Sequence, residues 1–114
     1  MIDSILESVK KVIGLTNEDT HFDDDLIMHL NSEFNLLKQL GVKDEDFMIE
    51  DSSAEWGDYL PNDNSLNVVK SYICLRAKKV FDPPSSGILL QSLNEEIDKY
   101  EWKINVIAEQ RQTE

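Results

Sequence analysis

The chain has 114 residues, 40% of them hydrophobic, and a formal net charge of −12. That length suits one domain with one modest core, and that charge argues against a simple phosphate-binding groove, which needs clustered cations. Cys74 is the only cysteine, which excludes an intrachain disulfide and a cysteine-rich metal site. Glycine and proline are few and no internal repeat is visible. No apolar run approaches the ~18 residues of a bilayer span, and Met1 to Glu7 carries acids where a secretory signal is basic and then apolar, so the expectation is a chain that is not exported.

The charge is uneven. Residues Asn17 to Asn64 carry fourteen acids against Lys38 and Lys43, whereas Ser65 to Phe81 carries Lys70, Arg76, Lys78 and Lys79 and no acid. One basic segment inside an acidic chain suits complementary docking, either within the fold or between copies.

Taken in order, Ile2, Ile5, Leu6, Val9, Val12 and Ile13 fall at helical spacing, and Gly14 is a natural left-handed stop, which predicts a first helix from about 2 to 13. A polar connection follows, in which Thr16 with Asp19, Thr20 or Asp23 could cap the next helix. The body of that helix is the stripe Leu26/Ile27, Leu30, Phe34, Leu37 and Leu40, with Asp23, Asp24 and Asp25 against its positive end and Gly41 after it. Residues 42–63 read as an irregular, aromatic-bearing linker, with Phe47-Met48-Ile49 as a small extended piece and Trp56, Tyr59 and Leu60 before Pro61. A linker this long is either packed by its aromatics or used for contact.

A third long helix is predicted from Asn64 or Ser65 to about Phe81, apolar on two sides and therefore central: Leu66, Val69, Ile73, Ala77 and Val80 on one, Val68, Tyr72 and Leu75 on the other. Pro83 and Pro84 must break it, because each lacks a backbone donor and the residue before a proline is pushed out of the helical region. Asp82 could cap a new turn with Pro83 at its first position. The last helix is predicted from Ser86 to about Ala108, with a seam of Leu90, Leu93, Ile97, Tyr100, Ile104 and Ile107 in alternating steps of three and four. Leu89, Trp102 and Val106 lie off that seam and form a second apolar surface. Residues 110–114 read as a frayed polar tail. The sum is an all-α chain, a small four-helix bundle with a long C-terminal helix.

Catalytic constellations do not emerge. His21 and His29 are eight residues apart, too far to chelate one metal on a helix face. Asp23-Asp24-Asp25 lacks the alternating ligands and central glycine of a calcium loop. Glu95, Glu96 and Asp98 fall on an exposed helix face, where nothing separates an acid from a base. Ser85-Ser86-Gly87 lacks the strand–turn–helix context of a nucleophile elbow or phosphate loop. Cys74 lies in an apolar segment and reads as an inert buried thiol. The reading is a protein that is not an enzyme and has no cofactor. Trp56, Phe81 and Trp102 sit off the clean core seams, and either fill the core or anchor an interface.

Several of these features occur together in one known family. Ile13-Gly14 ends the first helix, Phe22-Asp23-Asp24-Asp25-Leu26-Ile27 opens the second, and Leu40-Gly41 closes it. Trp56-Gly57-Asp58-Tyr59-Leu60 lies in the linker, and Val69-Lys70-Ser71-Tyr72-Ile73 leads to Phe81-Asp82-Pro83-Pro84-Ser85 and then Glu101-Trp102-Lys103-Ile104-Asn105. In this order and spacing the chain resembles the small head–tail connector, or head-completion adaptor, proteins of long-tailed bacteriophages. The resemblance implies a structural subunit of the virion, assembled in the bacterial cytoplasm. Such subunits form a ring under the portal, twelvefold in the virion, and extend the DNA channel without specific DNA binding. They offer a surface to the next connector, tail-terminator or tail protein. Under that reading the candidate interface and hinge residues are Trp56, Lys70, Arg76, Lys78, Lys79, Phe81, Asp82, Pro83, Pro84 and Trp102. The competing reading is a stand-alone acidic helical module that binds a basic protein partner.

Overall fold

The computed structural model describes residues 4–60 and 65–112. Five helices run through them: α1 (Ile5–Val12), α2 (Asp23–Leu40), α3 (Trp56–Tyr59), α4 (Leu66–Phe81) and α5 (Gly87–Gln112). The all-α class and the long C-terminal helix are as the periodicity predicts. The linker adds one short turn, α3, to the four expected helices. No strand forms among the described residues; Ser4 and Glu55 make an isolated antiparallel bridge. Ile2 and Pro61 to Asn64, which figure in the expected ends of the first helix, the linker and the third long helix, lie outside the described residues.

Two glycines end helices as expected. Gly14 and Gly41 adopt φ of 86° and 100°. In each case the glycine amide bonds back to the carbonyl three residues earlier, and the next amide bonds to the one five residues earlier: Leu15 to Lys10 at 2.8 Å and Val42 to Leu37 at 3.1 Å. These paired bonds consume the last orphan carbonyls, and the apolar residue after each glycine folds back toward the core. The start of α2 differs from expectation. No side chain caps it. Asp19 instead accepts the amide of His21 at 3.2 Å, and Thr20 contributes only its carbonyl, to Asp23. The entry of α2 is held by charge: the buried Lys10 ammonium lies 2.9 Å from Asp23 Oδ1 and also donates to the carbonyl of Asn17.

The helix α4 is central, packing against α1, α2 and α5. Val69, Tyr72, Ile73 and Ala77 are buried on it, and they meet Leu26, Leu30, Phe34 and Leu37 of α2, Ile5, Leu6 and Val9 of α1, and Leu93, Ile97 and Ile104 of α5 in one core. Val80, expected in the same stripe, is 57% exposed, because it lies at the end of α4 beyond that core. α5, with 26 residues, is about 39 Å long, close to the 42 Å longest dimension of the molecule. It runs past the sequence-predicted end near Ala108 to Gln112, and residues 113–114 of the expected tail lie outside the described residues.

The linker is packed by its aromatics. Phe34, Phe47 and Tyr59 form a triad with ring centroids 4.7–5.0 Å apart. Lys43 lies over two of these rings and donates to the carbonyl of Tyr59. Asn31 grips the expected extended piece like a strand partner: its amide donates to the Ile49 carbonyl at 3.1 Å and its oxygen accepts the Ile49 amide at 2.8 Å. Ser4 Oγ donates to the Ser52 carbonyl at 2.7 Å, and the Ile5 amide to that of Ala54 at 3.0 Å. Asp58 accepts the Glu55 amide at 2.9 Å and opens α3.

Candidate functional site

The corner between α4 and α5 occupies residues 82–86. Asp82 closes α4 instead of opening a new turn: its amide makes the last helical bond, to Lys78 at 2.8 Å. Its carboxylate takes the Lys78 ammonium at 3.0 Å. Pro83 and Pro84 then carry the chain out of helix, since neither can donate to the preceding turn. Ser86 starts α5, accepting the amide of Leu90 on its carbonyl at 2.9 Å. The expected cap by Asp82 with Pro83 at the first helical position therefore gives way to Ser86 and Gly87, because the ion pair to Lys78 holds Asp82 on α4.

The root of the corner is tied to α2 by a buried polar junction. Phe81 is half-buried with its ring edge-on to His29, centroids 5.5 Å apart. His29 Nε2 is 3.9 Å from Glu33 Oε1, which accepts Arg76 Nε at 3.0 Å. Glu33 is 5% exposed. Burial lowers the pKa of His29, the Glu33 charge opposes this, and Arg76 reinforces it. Burial also pulls on Arg76, but the hydrogen bond and charge of Glu33 outweigh it and hold the guanidinium above its ordinary value. Neutral His29 beside a charged Glu33–Arg76 pair is the state that this environment favours.

The basic helix is mostly consumed inside the subunit. Arg76 pairs with Glu33, Lys78 with Asp82, and Lys70 lies 5.7 Å above the Trp56 ring. Lys79 is exposed and has no acidic partner among the described residues. Trp56 is buried, and its Nε1 donates to Ser8 Oγ at 3.2 Å, so in the subunit it is a core residue that locks α3 to α1. Trp102 is the opposite case. It is 67% exposed and borders a shallow depression with Leu40, Val106 and Ala108. Pro83 is exposed and Pro84 half-buried.

Around the corner the surface is apolar. Val80, Ile88 and Leu89 are 57%, 79% and 59% exposed. Neither Ile88 nor Met28 of α2 stands out in the sequence periodicity, and Met48 of the expected extended piece is exposed as well. The signal for Ile88 was present in the run Gly87-Ile88-Leu89-Leu90, whose four consecutive positions cannot all face one core. Elsewhere the chemistry is quiet. Burial pushes the Cys74 thiol up to about 11. Among the described residues no three His, Cys, Asp or Glu side chains converge as a metal site. No helix among them is long and apolar enough to cross a membrane.

A family model described as phage connector protein matches residues 5–111. The chain belongs to that family. Its members are structural components of the phage particle at the junction of head and tail, and membership makes portal and tail components the expected partners of this connector. The match covers α1 to α4, the corner and all of α5 but its last residue, the exposed Trp102 included. Searches of curated proteins and of solved structures find no match to this connector.

Proposed function

We propose that this connector assembles as a ring under the portal, extends the DNA channel, and presents the docking surface for the next connector or tail protein. The family match over residues 5–111 carries the reading. Two physical features support it. The subunit leaves Val80, Ile88 and Leu89 in water at the corner and Trp102 in water further along α5, bulky apolar side chains of the kind that mark contact surfaces. Its net charge of −12 also lets DNA pass without holding it, because phosphate binding needs cations. Ring symmetry follows that of the portal it caps, which is twelvefold.

The test is to mix the connector with purified portal and image the product. The expected result is a ring stacked coaxially on the portal. A protein that forms no ring and never joins the portal, yet captures basic proteins, would establish the stand-alone acidic module instead.

A further inference from the structure

A groove runs along the side of α2 that faces away from α4. Met28, Asn31 and Asn35 form one wall and Phe47 and Met48 the other, enclosing about 530 Å³. Met28 and Met48 are each 71% exposed. Methionine suits an adaptable docking surface, because its unbranched thioether conforms to whatever it meets. The linker wall is preceded by Asp44, Glu45 and Asp46, all exposed, of which Asp46 is paired with Lys38 at 2.7 Å. The result is a slot with methionine and phenylalanine on its walls and polar side chains, Ser32 and Lys38 among them, between, and with the exposed carboxylates of Asp44 and Glu45 beside it.

The corner has the complementary character. Val80, Ile88 and Leu89 project from it, and Lys79 beside them is exposed without an acidic partner among the described residues. At 100° per residue, the groove face of α2 lies about 145° around the helix from His29 and Glu33, which face α4 and the corner. Slot and corner thus lie on different sides of α2, and no residue of the corner lines the groove of its own subunit.

We propose that the groove of one connector subunit receives the Val80–Ile88–Leu89 ridge of a second copy, with Lys79 against the acids at 44–46. Such a contact joins two different faces, so it propagates from subunit to subunit and closes into a ring when the rotation allows. The inference rests on the connector reading and names the two faces that meet.

Cross-linking tests it. In a Cys74→Ser background, which removes the only native thiol, Met48→Cys and Leu89→Cys together place one thiol on each face at exposed positions. Mild oxidation of the free protein and of its portal complexes is expected to yield a ladder of covalent oligomers on non-reducing gels. Either substitution alone should yield nothing beyond a dimer. A double variant that stays uncross-linked in both samples overturns the pairing, and so does a bond to a chain of different mass. If rings still appear on the portal without the ladder, the pairing fails while the connector reading stands. If no ring appears at all, both fail. As a second measurement, Lys79→Glu should weaken assembly about tenfold at low salt, and Asp44→Lys with Glu45→Lys should restore it. Failure of the combination to restore assembly also overturns the pairing.

Discussion

The linker at 42–60 and the corner at 82–86 are both breaks between helices, and they are held in opposite ways. The corner is written in backbone chemistry: two prolines stop one helix, a serine starts the next, and its residues stand mostly exposed. The linker has no such punctuation, yet it is fastened along its length. Asn31 clamps Ile49, Ser4 holds Ser52, Trp56 donates to Ser8, and three aromatic rings pack together with Lys43 over two of them. The difference shows that a loud local signal marks where a chain turns, whereas long-range contacts decide whether a loop belongs to the core. It also distinguishes their roles, since the linker, its exposed Met48 apart, stabilises the subunit, whereas the corner leaves its apolar side chains outward.

The contrast can be broken most severely at Trp56. Trp56→Ala leaves a cavity between α1 and α3 and removes the bond to Ser8, and should cost about 3–5 kcal/mol in chemical denaturation. A loss under about 1 kcal/mol would mean that the linker is not part of the core. Asn31→Ala should cost about 1–3 kcal/mol, because it removes both partners of Ile49's half-buried backbone. Hydrogen exchange should then speed up at residues 47–52 before it does in α4. In the corner, Pro83→Ala with Pro84→Ala should change stability by less than about 1 kcal/mol, while helix propagating through 82–85 misaligns α5. Ring formation should therefore suffer far more than helix content measured by circular dichroism. Unimpaired assembly of that double variant would show that the corner angle does not matter.

The smallest effect is a slope with pH. His29 has a pKa lowered from 6.5 in the folded chain by burial beneath Phe81 and beside Arg76. Below about 6.5 the unfolded chain therefore binds a proton that the folded chain resists, so stability is full above that pH and declines as pH falls toward the folded value. His29→Gln should flatten the part of the curve of Tm against pH that lies below 6.5. An unchanged slope would remove His29 from the account.

Much of the fold was legible because its causes are local. The stripe Leu26–Leu30–Phe34–Leu37 and the terminal glycines at 14 and 41 announce α2 and the ends of α1 and α2 without reference to anything distant. Boundaries slipped where a distant partner intervened. Asp82 could have capped a new helix, but Lys78 holds it. The N-terminus of α2 offered several capping residues, but the buried Lys10 determines what Asp23 does. The site residues were less legible still. Trp56 and Trp102 look alike in sequence, each an aromatic among polar neighbours, yet one is 3% and the other 67% exposed. The four cations of α4 were equally good candidates for docking, and among the described residues Lys79 alone of the four has neither an ion pair nor an aromatic ring beneath it.

By itself the sequence determined the helical class, the position of the corner and the family, because periodicity, proline and glycine act within a few residues of themselves. Only the tertiary structure decided which charged and aromatic side chains are spent inside the subunit. Glu33 meets Arg76 across 43 positions and Ser8 meets Trp56 across 48. No local pattern encodes such a meeting, since it depends on how whole helices pack, and packing is what divides the residues that hold the subunit together from those left free to assemble it.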